Sequence, residues 1–297
     1  MESRREFLKA SAAALTVAAT KPLFGIQGAN DRIRMAVIGC GNRAGRVFDA
    51  FARQANVQWV AGAEVNKAKL DSFMSPARQT FKLDMVGDHR RILDRKDVDA
   101  VLIGTPDHWH KRMTLDAVAA GKDVYVEKPV SHSIEEGAEM MKAIEASKQV
   151  VQTGTQQRSW DHWILGKQII DSGKLGQITF VHTYWYQHAR AGSYAPVALE
   201  KLDWKQWLGA APDQPFRPER FYQWRHYWDF GGGCLTDLMT HWIDVVHWYL
   251  NVEAPLSVVS AGHNYNIKIW QAPDTVLVSL YELGKLIMQI FMNDNPY

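Results

Sequence analysis

Cysteine is nearly missing from this 297-residue chain, which has only two, Cys40 and Cys234. Two are too few for a disulfide framework. Each sits beside glycines, where a small side chain fills a tight turn; a reactive thiol is the other reading. An excess of one charge is missing as well: 34 Lys and Arg stand against 32 Asp and Glu, for a net charge of +2. That balance gives no footprint for nucleic acid or for an anionic membrane surface. Long apolar runs are also missing. No segment in the body of the chain reaches the roughly 20 residues that a bilayer-spanning helix needs.

What is present is a chain that is 46% hydrophobic, enough for a sizeable core and two domains. It is rich in tryptophan: there are 12, ten of them after residue 155. Most of these are expected to pack in the core and between domains. The remaining flat apolar faces suit a ligand such as a sugar ring.

The first thirty residues, beginning MESRREFLKASAAALTVAAT, have the form of a targeting segment. Arg4 and Arg5 are followed by Phe7, Leu8 and Lys9 and then by a modest Ala/Leu/Val run, which resembles a Tat export signal. The run is too short and too weak for a stable membrane helix. The expectation is a periplasmic protein carried by the Tat machinery, which moves proteins already folded; a cytoplasmic protein is the alternative.

From residue 31 to 155 the pattern is a strand–helix alternation. IRMAVIGCGNRAG opens with a strand, Ile33 to Ile38, then a G-x-G-x-x-A turn and a helix from about Asn42. Gly39 permits the tight turn, Gly41 lets backbone approach a pyrophosphate at the helix N-terminus, and a small Ala44 allows helix and strand to pack closely. A second strand, VQWVAGAEV, ends on Glu64. A carboxylate there accepts from both ribose hydroxyls of NAD and repels the 2′-phosphate of NADP; Lys67 nearby blurs that preference. Further strands are expected near Leu83 to Val86, at Ala100 to Ile103, in DVYVEKP and in QVVQTGT, with helices between them. Near-continuous apolar strands alternating with helices make a doubly wound parallel sheet. Such sheets bind ligands beyond their carboxyl ends, where GTPDHWH and the Glu127–Lys128–Pro129 step both fall.

After residue 155 the pattern changes. GQITFVHTYWYQ, PLSVVSAGHNYNI, DTVLVSLYEL and KLIMQIFM read as strands of an open, mainly antiparallel sheet. Between the first two lies FGGGCLTDLMTHWIDVVHWYL, expected as one helix from about Cys234 to Leu250. On it Asp237 and His241 are i and i+4 and share a face, with Asp244 and His247 continuing roughly along it. An exposed polar stripe, a buried reacting set and, least favoured, a metal site remain open on spacing alone.

Taken in order, GCGNRAG, TPDHWH, AGKDVYVEKP and GGGCLTDLMTHWIDVVHW resemble the Gfo/Idh/MocA oxidoreductase family, from about Ile33 to Leu250. The resemblance implies a Rossmann domain (31–155) followed by a C-terminal α/β domain (156–297) whose open sheet serves homo-oligomerisation. It implies NAD, with NADP as the other possibility, and a carbohydrate substrate; no metal is expected, because no further ligand set accompanies Asp237 and His241. It also implies a longer chain than this one, with further sheet strands or a C-terminal segment. By matching motif, the cofactor is expected against Gly39, Gly41, Asn42, Arg43, Ala44 and Glu64, and against Thr105, Pro106, His110, Glu127 and Lys128. Trp109 and His110 either line that pocket or simply pack. Lys128 is expected to contact the reacting hydroxyl, His241 to exchange its proton, and Asp237 to bind substrate or orient the other two. Two other classes stay open: a glycoside hydrolase or lyase that oxidises its sugar transiently on a bound NAD, and a non-catalytic sugar-binding protein.

Overall fold

Residues 32–186, 194–284 and 286–293 are described by a computed structural model of the chain. The twin arginines, Arg4 and Arg5, lie outside the described residues. Six strands form the first sheet: β1 (Ile33–Ile38), β2 (Val57–Ala63), β3 (Asp84–Val86), β4 (Ala100–Ile103), β5 (Asp123–Val126) and β6 (Val151–Thr153). They lie in the order β3-β2-β1-β4-β5-β6 with every pairing parallel. Alternate residues of each strand enter opposite layers. Ala36, Ile38, Val101 and Ile103 pack with Met113 and Ala117, while Met35, Val37 and Leu102 pack with Phe48, Trp59 and Phe73. Both faces are covered, which is why the strands read as continuous apolar runs rather than alternating ones.

The covering helices are α1 (Asn42–Phe51), α2 (Lys67–Phe73), α3 (His110–Ala119) and α4 (Ile134–Glu145). α4 starts where the Ser133 side chain accepts the Glu136 N–H, with Glu135 and Glu136 placed to favour the positive end of its dipole. Strand order reverses between β1 and β4. The carboxyl ends of these two strands therefore diverge around a crevice, the place where open α/β sheets bind ligands.

The second half supplies α5 (Asp161–Asp171), β7 (Phe180–Tyr186), α6 (Gly233–Asp237), α7 (Met239–Leu250), β8 (Ser257–His263), β9 (Thr275–Leu283) and β10 (Leu286–Asn293). Its sheet runs β7-β10-β9-β8, with β7 and β10 parallel and the other two pairings antiparallel. Val276, Val278, Leu280, Met288, Ile290 and Met292 point under the helices against Cys234, Leu238 and Val246. The other face leaves Phe180, Tyr184, Tyr186, Leu277 and Ile287 exposed. Much of the tryptophan excess is core. Trp204, Trp207, Phe221, Phe230 and Trp270 pack together in the rear half. The 203–207 segment bonds back to the front half: Asp203 N–H donates to Val65 O at 3.0 Å and Trp109 Nε1 donates to Trp207 O at 2.8 Å.

The single helix expected over Cys234–Leu250 is instead two helices, α6 and α7, broken at Leu238, where φ is −103° and the regular i→i−4 bonding is interrupted. In an unbroken helix the His241 N–H would donate to the Asp237 carbonyl. Here it donates to Leu238 O at 3.1 Å, and the Asp237 carbonyl accepts from Lys128 Nζ at 2.8 Å. A backbone oxygen freed by the break therefore serves a side chain from the other half of the molecule.

Candidate active site

The crevice between the halves is a cleft of about 500 Å³. On its front wall the turn after β1 has the shape the glycine pattern called for. Gly39 has φ +85°, and a Cβ there would meet Thr105 Cγ2 at 2.8 Å and Gly104 O at 3.0 Å, so no larger residue fits. Ala44 is fully buried, and a Cβ on Gly104 would meet its Cβ at 2.7 Å, so α1 lies tight against the loop after β4. Gly41 is the opposite case: the nearest atom to its missing Cβ is Gly104 O at 4.0 Å, and the residue faces the cleft. α1 then begins with no side chain capping its first turn. Uncapped N–H groups at the positive end of a helix dipole, beside a glycine with open space, fit a pyrophosphate.

Glu64 carries a duty that its position in the sequence did not reveal. Its Oε2 accepts the Cys40 N–H at 2.7 Å and its Oε1 accepts the Asn66 N–H at 2.8 Å. Burial raises its carboxyl above the ordinary value, against these two amides, which lower it. The carboxylate thus braces the glycine turn, and each oxygen keeps a second lone pair for a ribose hydroxyl. Lys67, expected to temper Glu64, is exposed; Lys69, two residues on and on the other side of α2, lines the cleft and acts on the Glu64 charge. The Cys40 thiol is pushed well up, first by burial and then by the Glu64 charge, which leaves it a poor nucleophile.

Of the residues expected around the cofactor, Gly39, Gly41, Asn42, Arg43 and Glu64 line the cleft, as do Thr105, Pro106, Glu127 and Lys128 from the later loops. Trp109 lines it too. Two do not. Ala44 lies beneath the turn as packing, and His110 is 1% exposed with the Pro129 and Thr105 carbonyl oxygens at 2.6 and 3.0 Å from its ring nitrogens. His110 ties the loop after β4 to the loop after β5 rather than facing a ligand. Glu127, at 3% exposure, pairs with Arg43 Nε at 2.8 Å and so joins the loop after β5 to the start of α1.

Lys128 stands at the end of β5 on the cleft wall. Its Nζ donates to both the carboxylate and the carbonyl of Asp237, 109 residues away in sequence. Arg225 Nε lies 3.1 Å from the same carboxylate. Burial works to raise the Asp237 carboxyl, but Arg225 and Lys128 together outweigh it and hold the group well below the ordinary carboxylate range. His241, one turn into the rear helix, is 5% exposed, and its Nδ1 sits 3.1 Å from Gln157 Oε1. Burial first, then the Lys128 charge, lowers its imidazole to about 4. It is therefore neutral at physiological pH, the form that accepts a proton. Lys128 lines the cleft, with the Asp237 carboxylate on its Nζ and His241 one turn further along, held against Gln157.

Further along the same helix the stripe ends in ordinary surface chemistry: Asp244 pairs with Arg158 at 2.8 Å. Three participants went unmarked in the sequence. Arg225 and Trp224, with the guanidinium 4.3 Å from the ring centroid, line the cleft from the rear half. Asp107, 2% exposed, also lines it, and burial followed by the Asp237 charge raises its carboxyl well above the ordinary value. The Asp in GTPDHWH was a visible signal, since a carboxylate is rarely placed at a buried strand end without a role; Arg225 offered none.

Comparison with known proteins agrees with this fold. A family profile described as an oxidoreductase family, NAD-binding Rossmann fold, matches residues 33–155, and the same family's C-terminal alpha/beta domain matches 167–272. The 1-carboxy-3-chloro-3,4-dihydroxycyclohexa-1,5-diene dehydrogenase of Comamonas testosteroni is 27% identical over 217 residues, 72% of this chain and 46% of its own. Inositol 2-dehydrogenase 2 of Saccharopolyspora erythraea is 25% identical over 267 residues, 88% of this chain and 67% of its own. Among solved structures, the WlbA dehydrogenase from Bordetella pertussis, in complex with NADH and UDP-GlcNAcA, superposes with a TM-score of 0.71 at 21% identity, covering 90% of this chain and 72% of that one. At that identity the likeness establishes the fold. The chain spans about half the length of the first curated relatives it matches.

Proposed function

The chain belongs to the Gfo/Idh/MocA oxidoreductase family, and from that premise we propose that it moves a hydride between NAD and a secondary hydroxyl on a sugar or ring polyol. The observation that carries this reading is the Lys128–Asp237 bridge. It joins the cofactor edge of the front sheet to the rear helices and leaves the lysine facing the cleft. The NAD-binding front domain supplies the nicotinamide as hydride acceptor when the cofactor is bound. The chain's own part is alignment and proton handling. Lys128 donates a hydrogen bond to the reacting oxygen and stabilises the negative charge that grows on it as hydride leaves. Asp237 fixes where that ammonium points. Neutral His241 accepts the hydroxyl proton in oxidation and returns it in reduction. Trp224 and Arg225 offer an aromatic face and a donor to the rest of the ring.

The test is reduced-nicotinamide absorbance on purified protein with NAD and a panel of sugars and inositols. Signal with at least one of them supports the proposal. Tight NAD binding with no signal, together with release of an aglycone from glycosides and no net cofactor reduction, replaces it with the transient-oxidation hydrolase. Binding of sugars with no turnover of either kind replaces it with a binding protein.

We propose NAD over NADP on the strength of Glu64. Glu64→Gln is expected to weaken NAD by about tenfold, close to 1.4 kcal/mol, while NADP loses less because a repelling charge is gone. Titration of both cofactors by intrinsic fluorescence reads this, and an equal loss for both assigns Glu64 to bracing the turn alone. A homo-oligomer is proposed through the exposed apolar face of the second sheet, with sedimentation as its check: a monomer at micromolar concentration removes it. Export is proposed from Arg4 and Arg5; Arg4→Lys with Arg5→Lys should hold the protein in the cytoplasm in a fractionation assay, and continued export contradicts it.

A further inference from the structure

The residues after β6 read GTQQRS, and both glutamines contact residues of the site. Gln156 Oε1 accepts from Arg43 at 3.1 Å. Gln157 goes deeper: it is 5% exposed, and its Oε1 lies 3.1 Å from Nδ1 of His241, a ring that is also 5% exposed. Trp185 of β7 lies nearly parallel to that ring, with centroids 5.7 Å apart and planes 21° from one another. An amide oxygen only accepts, so a neutral imidazole facing it carries its proton on Nδ1 and its lone pair on Nε2. Among the described residues Nε2 has no hydrogen-bond partner of its own.

Resting on the reading of His241 as proton acceptor, we propose that Gln157 is a positioning residue that fixes the Nδ1–H tautomer of His241, keeping Nε2 as the basic nitrogen while Trp185 holds the plane of the ring. The choice of a neutral partner has a consequence. A carboxylate in that place would stabilise the imidazolium and make the ring more basic; an amide orients it without adding charge. The charged groups that do face His241 are Lys128 after β5 and Arg43 of α1, which disfavour its protonation, and Asp237 and Asp244 of the rear helices, which favour it. The ring is therefore held as a neutral base through the mildly acidic range, and its orientation is not tied to a titrating neighbour.

The direct test is the ring-nitrogen NMR shifts of histidine-labelled full-length protein, with His241 assigned by its disappearance in His241→Gln. A protonated Nδ1 and an unprotonated Nε2 support the inference. A protonated Nε2 overturns it, because the amide is then turned round and donating. This readout does not depend on turnover. An inactive protein showing the Nδ1–H ring removes the proposed reaction and still upholds the tautomer, whereas an active one showing Nε2–H removes the inference alone.

Two variants extend the test to kinetics. Gln157→Leu removes the acceptor, and kcat should fall at least about 100-fold with KM within about threefold, since the base is lost and not the binding surface. Gln157→Glu keeps an acceptor in place and adds charge. It should restore turnover to within about tenfold of wild type while the acidic limb of the pH profile moves up by at least about one unit. An unmoved limb in Gln157→Glu, or full activity in Gln157→Leu, overturns the proposal.

Discussion

Lys128→Met is expected to lower turnover by about 10³-fold while NAD affinity stays within about threefold of wild type. Methionine keeps the apolar stem that runs along the cleft wall and removes only the ammonium. The anchors proposed for the cofactor, the α1 N-terminus and Glu64, lie after β1 and β2 and stay intact, so binding should survive. What disappears is the donor to the reacting oxygen, and no neighbour replaces it. Arg225 is engaged with the Asp237 carboxylate, and neutral His241, read as the proton acceptor, offers no second donor there. Steady-state kinetics with the best substrate of the panel, alongside NAD titration, separates the two quantities. Turnover near wild type would sink the role given to Lys128, and loss of NAD binding in proportion to activity would make it a cofactor anchor instead.

The front half was legible because its physics is local. A parallel sheet covered on both faces needs apolar residues at successive strand positions, and β4 and the last four residues of β1 supply them. Its turn needs a glycine at 39, where φ is +85°, and a residue of that kind announces itself. The rear half was legible only as strands and one helix. The break at Leu238 was hidden, because the partner that satisfies the freed Asp237 carbonyl, Lys128, lies in the other half. For the same reason an i,i+4 pairing of Asp237 and His241 could be read as a shared face, but not as one residue bracing a lysine and the other resting on Gln157. Lys69 could not be told from Lys67, since the two differ only in which side of α2 they occupy. Spacing tells what one element presents; it is silent on which partner arrives from a hundred residues away.

The same bridge sets the largest stability effect. Asp237→Asn keeps the shape of the side chain and removes its charge, leaving Lys128 and Arg225 facing one another across a neutral amide. Lys128 and Asp237 are 13% and 16% exposed, so water offsets little of that loss. A cost of about 3 kcal/mol in urea denaturation is expected, in the range for a buried pair deprived of one partner. Turnover should fall by about 100-fold as the ammonium loses its aim. The sign of the pH dependence follows from the depressed carboxyl. A group held below its unfolded value near 3.9 contributes stability that is complete above that value and is lost only as pH falls through the still lower folded one. The gap between wild type and Asp237→Asn should therefore be flat from about pH 5 to 8, and a gap that closes within that range would show that the carboxylate is not held by its two cations. The double variant Lys128→Met with Asp237→Asn isolates the pair. Removing the lysine takes away one of the charges that the missing carboxylate leaves exposed, so the two losses should fall short of their sum by about 1–3 kcal/mol. Strict additivity would mean that each residue is held by its own surroundings, and that the two halves of the molecule are not joined through this contact.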